Sequence, residues 1–209
     1  MLGGLPLLLV GDHRGLDECA SELAAVTSEQ GFPFWGAAGT MYDGWLAVGT
    51  GDAVKGMSLL RSGLSAYSAT GAQINYSVFA DLLARACEIV GEIEEGRALF
   101  DDALQVVERT GERWFAAELN RHKGHLLLRQ RHVEAAQELY REALTIAREQ
   151  QAKLWELRAS MSLARLRRDQ GREADARDLL MPVYGWFTEG FDTRDLKEAK
   201  ALLDELGCA

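Results

Sequence analysis

Apolar residues recur along the chain at spacings of three and four, the helical period, and that pattern itself returns every 40 positions. Gly31, Gly71, Gly111 and Gln151 mark one register, each closing one helical pattern and opening the next. From these anchors runs a column of small residues, Gly44, Ala84, Gly124 and Ala164, and twelve positions on a second, Gly56, Gly96, Ala136 and Ala176. A large apolar column follows, Leu60, Phe100, Tyr140 and Leu180, and then Gly63, Ala103, Ala143 and Val183. Small residues let two helices approach and large ones fill the space between, so each 40-residue unit predicts a helix pair that buries its apolar stripe against its neighbours. The breaks inside the units, at Gly49–Asp52, Gly91–Glu92, Arg129–Arg131 and Asp169–Gly171, are mostly glycine-bearing helix stops. Pro33 suits the first turn of a helix, whereas Pro182 falls inside one, where it should clash with the carbonyl of Asp178 and kink it.

The register continues backwards: Gly11 corresponds to Gly51, and Leu23 to Gly63. Asp17 to Gln30 therefore predicts the second helix of an earlier unit, of whose first helix only Leu5 to Val10 remains; this half-unit suggests a fragment of a longer protein. Thr193 is placed to cap a helix from Arg194 to Leu206, whose Lys197, Glu198, Lys200, Asp204 and Glu205 give a terminal helix a charged face. The predicted organisation is one repeat domain over 1–209: a partial repeat at 1–30, full repeats at 31–70, 71–110, 111–150 and 151–190, and a capping helix at 191–209.

These small and large columns resemble the tetratricopeptide repeat (TPR), whose usual length is about 34 residues. The resemblance implies an all-α, TPR-like α-α superhelix, or solenoid, of helix-turn-helix repeats. The added residues fall where one unit's second helix meets the next unit's first, and are expected to lengthen the helices. The tryptophan, tyrosine and proline usual in the family have no consistent column here. The runs Val107–Trp114, Lys153–Ala159 and Pro182–Thr193 further resemble the C-terminal TPR region of large bacterial proteins that combine a nucleotide-cyclase-like domain, a P-loop ATPase domain and helical repeats. That implies a regulatory or ligand-sensing module. No Gly-x-x-x-x-Gly-Lys-Ser/Thr loop or cyclase segment is present in the chain, and no catalytic residue is carried over.

Composition narrows the picture. The chain of 209 residues is 47% hydrophobic with three prolines, as suits an all-α protein. Leu5 to Val10 is too short to span a membrane and lacks the basic flank of a signal peptide. Cys19, Cys87 and Cys208 have no metal-site spacing and read as reduced thiols of a cytoplasmic protein, two of them facing the core. A formal charge of −9 argues against nucleic acid as the main partner.

In the TPR family the first helices line a concave face on which ligands bind. Carried onto this register, one column reads Trp45, Arg85, His125 and Arg165, and another Met41, Asp81, Arg121 and Met161; Arg158 and Arg168 lie beside them. Arginine thus gathers on one face of an acidic chain, and its fork suits carboxylate or phosphate. The candidate groove is Tyr42, Trp45, Arg85, Arg121, His125, Arg158 and Arg165, with Tyr42 and Trp45 as an apolar wall. It would take an acidic protein, peptide or small effector. Asp81–Arg85 and Glu118–Arg121 are equally legible as helix-surface ion pairs. Glu118, His122 and His125 could approach a metal-ligand set, but no second-helix ligand accompanies them, and structural histidine is the reading adopted; no metal or cofactor is expected. Trp114, Phe115 and Trp155 read as core at repeat junctions, and Tyr184, Trp186 and Phe187 as packing beneath the last helix. No catalytic constellation emerges, so the expectation is a non-catalytic interaction module. The alternative is a self-associating scaffold, a homodimer paired through the open N-terminal half-repeat.

Overall fold

A computed structural model describes residues 3–207, apart from the side chains of residues 28 and 30. Among these residues the chain is all-α: α1 (Gly4–Val10), α2 (His13–Gln30), α3 (Pro33–Gly49), α4 (Ala53–Ala69), α5 (Tyr76–Val90), α6 (Ile93–Thr110), α7 (Ala116–Arg129), α8 (Val133–Glu149), α9 (Lys153–Asp169), α10 (Glu173–Tyr184) and α11 (Arg194–Gly207). Cys208 lies outside the described residues.

The turns carry the repeat. Residues 11, 31, 51, 71, 91, 111, 131, 151 and 171 all have left-handed backbone, with φ between 54° and 93°. One such residue every twenty positions stops each helix and turns the chain. Seven of the nine are glycine; Arg131 (φ 64°) and Gln151 (φ 54°) hold the same conformation with a side chain. Asp12 and Asp52 cap the following helices, accepting from the backbone N–H of Gly15 (3.0 Å) and Lys55 (3.1 Å).

Two compact units divide at Arg113/Trp114. In the N-terminal unit, α3 pairs with α4 and α5 with α6, while α1 and α2 cover the outer side of α3. The α3–α4 crossing is tight: a Cβ on Gly44 would lie 2.9 Å from the backbone N of Leu60 and 3.1 Å from the carbonyl of Gly56. Leu16, Ala20, Met41, Leu60 and Tyr67 are wholly buried there. The C-terminal unit pairs α7 with α8 and α9 with α10, and α11 packs on α9 and α10. Tyr140 and Leu180, of the large apolar column, are fully buried in it.

The helices at the junctions are lengthened only in part. The second helices α4, α6 and α8 run 17, 18 and 17 residues. The first helices α5 and α7 are shorter, 15 and 14 residues, because the segments before them turn. Asn75 enters α5 with φ 58°, its N–H held by the Glu112 carboxylate at 2.8 Å. Pro33 stands in the first turn of α3. The helix α10 runs through Pro182 and ends two residues later, at 12 residues. Thr193 precedes α11, where its hydroxyl donates back to the Gly190 carbonyl at 2.6 Å. Phe115 and Trp155 are buried edge to face, at 5.9 Å between rings. Trp186 departs from expectation: it is 57% exposed, because the chain after α10 turns its indole outward beneath the Lys153 ammonium, 5.5 Å from the ring, whereas Tyr184 and Phe187 pack against the cluster under α11.

Candidate functional site

The first helices of the repeats are α3 and α5 in one unit and α7 and α9 in the other; α11 stands one period beyond α9, with Asp195 forty positions after Trp155. In the N-terminal unit, Arg85 of α5 lays its guanidinium over the half-buried Trp45 of α3, 4.4 Å from the ring centroid. Its carboxylate neighbour is Asp81 at 3.6 Å, too long for a hydrogen bond. Arg85 remains 34% exposed, its guanidinium lying on the indole with Nη1 paired loosely with buried Asp81. Tyr42 belongs to the core. It is 6% exposed, with Gly4 of α1 laid over its ring and Phe79 6.0 Å away. Burial, with Cys19 nearby, pushes its phenol up to about 12. Met41, Asp81 and Met161 are buried as well, so that column faces inward rather than lining a surface: Met41 is pressed against the backbone of Gly63 on α4.

In the C-terminal unit the predicted residues do converge, on one another. Glu118 of α7, 1% exposed, accepts from Arg121 Nε (2.6 Å) and Nη2 (2.8 Å) and from Arg158 Nη1 of α9 (3.2 Å). Arg158 is also bidentate with Asp195 of α11, at 2.7 Å for each bond. Burial pushes the Glu118 carboxyl up, but the charge and hydrogen bonds of Arg121, with His122 and Arg158, hold it well below the usual carboxylate range. Arg158 is shifted up despite its burial, through Asp195 and Glu118. Arg121 also donates to Nε2 of His122 and, at 3.0 Å, to Nε2 of His125, which lies 3.2 Å from the Ser162 hydroxyl. Glu118, His122 and His125 thus each contact Arg121. Arg165 pairs with Glu198 of α11 at 3.2 Å, and Arg168 with Glu205 at 2.6 Å.

The α11 partners of these arginines were not anticipated from the sequence. Asp195, Glu198 and Glu205 follow Arg158, Arg165 and Arg168 by 37, 33 and 37 positions, close to one repeat, so the signal was the position of α11 one period beyond α9. A second unforeseen cluster lies at the α5–α6 turn, where Arg61 of α4 holds Glu92 and Glu95 beside Cys87, whose buried thiol is pushed up to about 12 by burial and by those two carboxylates. An open groove of about 540 Å³ runs between α2 and α3, with Thr27, Gly36, Gly39 and Asp43 along it. Among the described residues no helix is long and apolar enough to cross a membrane.

Neither a family model nor a curated protein sequence matches the chain. Solved structures do. The chain is similar to BtubC (BKLC) from P. vanneervenii, with a TM-score of 0.70 at 16% identity over 95% of this chain and 88% of that one. It is similar to the nearly identical TPR-like repeats of a putative kinesin light chain from Podosopora anserina (TM-score 0.61, 15% identity, 99% and 93% covered). It is also similar to the apo form of RapI (TM-score 0.67, 12% identity), covering 92% of this chain and 54% of RapI. At such identities the likeness is one of fold, an all-α TPR-like helical repeat.

Proposed function

We propose that this chain is a non-catalytic interaction module of a regulatory protein, and that its first-helix faces recognise acidic groups on a partner protein, peptide or small effector. The observation that carries the reading is the Arg85–Trp45 stack. Stacking on an indole restricts the guanidinium, and its pair with Asp81 is long at 3.6 Å, so the exposed third of the side chain has donors to offer a carboxylate or phosphate. Arg121, Arg158 and Arg165 in the C-terminal unit already hold carboxylates of the chain itself, which supports arginine–carboxylate pairing as the chemistry of these first helices. The resemblance to the repeat region of cyclase-like and ATPase regulatory proteins supports a sensing role in the cytoplasm.

The test is titration of labelled acidic and basic peptides followed by fluorescence anisotropy. Arg85→Glu should abolish binding of acidic peptides while the helical circular-dichroism spectrum is retained; unchanged binding refutes the proposal.

A second reading, self-association through the N-terminal half-repeat, is favoured by α1 alone. This seven-residue helix buries Leu7 and Leu8 against the core but leaves Val10 59% exposed. Light scattering across a concentration series decides it: a monomer throughout excludes the scaffold.

A further inference from the structure

The helix α11 contacts α9 and α10 through two stripes. Its apolar stripe, Leu196, Ala199, Leu202 and Leu206, is buried against a surface that includes Leu157, Met161 and Leu180. Its acidic stripe, Asp195, Glu198 and Glu205, meets Arg158, Arg165 and Arg168, which themselves fall within one stripe of α9. At about 100° per residue, the three acids lie within roughly 80° of one another around the helix, beside the leucines. These contacts follow the pattern of one amphipathic helix: acids at i, i+3 and i+10, apolar residues at i+1, i+4, i+7 and i+11. The connection to α10, residues 185–193, contains no helix and includes Gly190 at φ 76°.

We infer that the outer face of α9 and α10 is a docking site for an acidic amphipathic helix of a partner protein, occupied in cis by α11 and opened when a partner helix of the same pattern displaces it. This deepens the reading above and rests on it for the chemistry, but it concerns the C-terminal unit, where Arg85 has no part. Charge complementarity selects the partner. Two of the three ion pairs are between side chains at least one-third exposed, Arg165–Glu198 and Arg168–Glu205, where exchange of one carboxylate for another is easy. The Arg158–Asp195 pair is the anchor, its side chains 15% and 20% exposed. A tethered helix competes at an effective concentration of about a millimolar, so a free helix binds the closed chain weakly and the opened chain well.

The probe is a labelled peptide with the sequence of residues 194–207, and a second in which Asp195, Glu198 and Glu205 are replaced by lysine. In the full chain, Leu202→Asp undocks α11 while leaving α9 intact. This variant should bind the acidic peptide at least about tenfold tighter than the unaltered chain. Adding Arg165→Glu and Arg168→Glu, at the two exposed pairs, should transfer the preference to the lysine peptide. Hydrogen exchange on the unaltered chain gives an independent readout: α11 amides should exchange through an opening that leaves α9 protected. Equal binding of both peptides overturns the inference, as does exchange of α11 only together with α9. A concentration-dependent dimer whose copies trade α11 overturns it in favour of a second copy as occupant. Loss of peptide binding at Arg85→Glu with the α11 results intact would separate the two sites; failure of Arg85→Glu to affect acidic ligands would leave the α11 results standing on their own.

Discussion

Replacing Glu118 with glutamine should cost far more than any surface ion pair in the molecule. The carboxylate side chain is 2% exposed and accepts three N–H bonds from Arg121 and Arg158, themselves 14% and 15% exposed. The amide keeps the volume but brings an NH₂ donor against donors and leaves two guanidinium charges facing no anion on α7. Removing one partner of a buried pair costs about 3–5 kcal/mol. For a chain of this length that corresponds to a fall in melting temperature of roughly 6–20 °C, at about 2–4 °C per kcal/mol. Urea unfolding with an unchanged m-value measures it directly. Glu138→Gln is the comparator: its pair with Arg141 is 67% and 48% exposed, and its loss should cost less than about 1 kcal/mol. The pH dependence has a definite sign. The folded carboxyl of Glu118 is held below its unfolded value of about 4.3, so its contribution is complete above about pH 5 and is lost as pH falls through the lowered folded value. The gap between the unaltered chain and Glu118→Gln should be flat from about pH 5 to 8 and shrink only in stronger acid. A cost no larger than that of Glu138→Gln, or a gap that widens on acidification, refutes the reasoning.

Three further outcomes are expected. Gly44→Ala should destabilise by about 1–2 kcal/mol in urea, because the new Cβ meets the Leu60 backbone at 2.9 Å and the strain exceeds the gain in helix propensity. Arg131→Gly should stabilise by about 0.5–1 kcal/mol by the same measurement, since relief of a left-handed backbone at φ 64° outweighs the entropy glycine adds to the unfolded chain. Cys87, fully buried with its thiol pushed up to about 12, should resist iodoacetamide in the native protein at pH 8 by mass spectrometry and react once urea unfolds the chain, while the half-buried Cys19 reacts earlier.

Much of the fold was legible because its determinants are local. The 40-residue register and the breaks within each unit marked the helix stops, which the structure places at left-handed residues twenty positions apart, and the small columns marked where α3 meets α4 and α7 meets α8. Even Arg131 and Gln151, which lack the glycine signal, were placed by the period alone. The site was legible in composition but not in geometry. Trp45 and Arg85 share a column and do meet, yet Tyr42 and Met41, three and four positions earlier on the same helix, point into the core. Four residues advance a helix by only about 40°, so a small error in the rotation of α3 moves a residue from surface to interior.

Local pattern was enough to place the helices and most of their stops, and to put Arg85, Arg121, Arg158 and Arg165 on first helices of an acidic chain. These follow from a 3.6-residue period, a turn residue every twenty positions and a repeat of forty, all readable within or between neighbouring units. Which carboxylate each arginine meets is set by the packing of the helices. Arg121 and Arg158 share Glu118, and Arg158, Arg165 and Arg168 hold α11, whereas Arg85 lies on an indole and pairs only loosely with Asp81. A charge pair forms at about 3 Å and depends on rotation and offset between helices 33 to 40 residues apart in the chain, which the packing of their buried faces sets and no local pattern encodes.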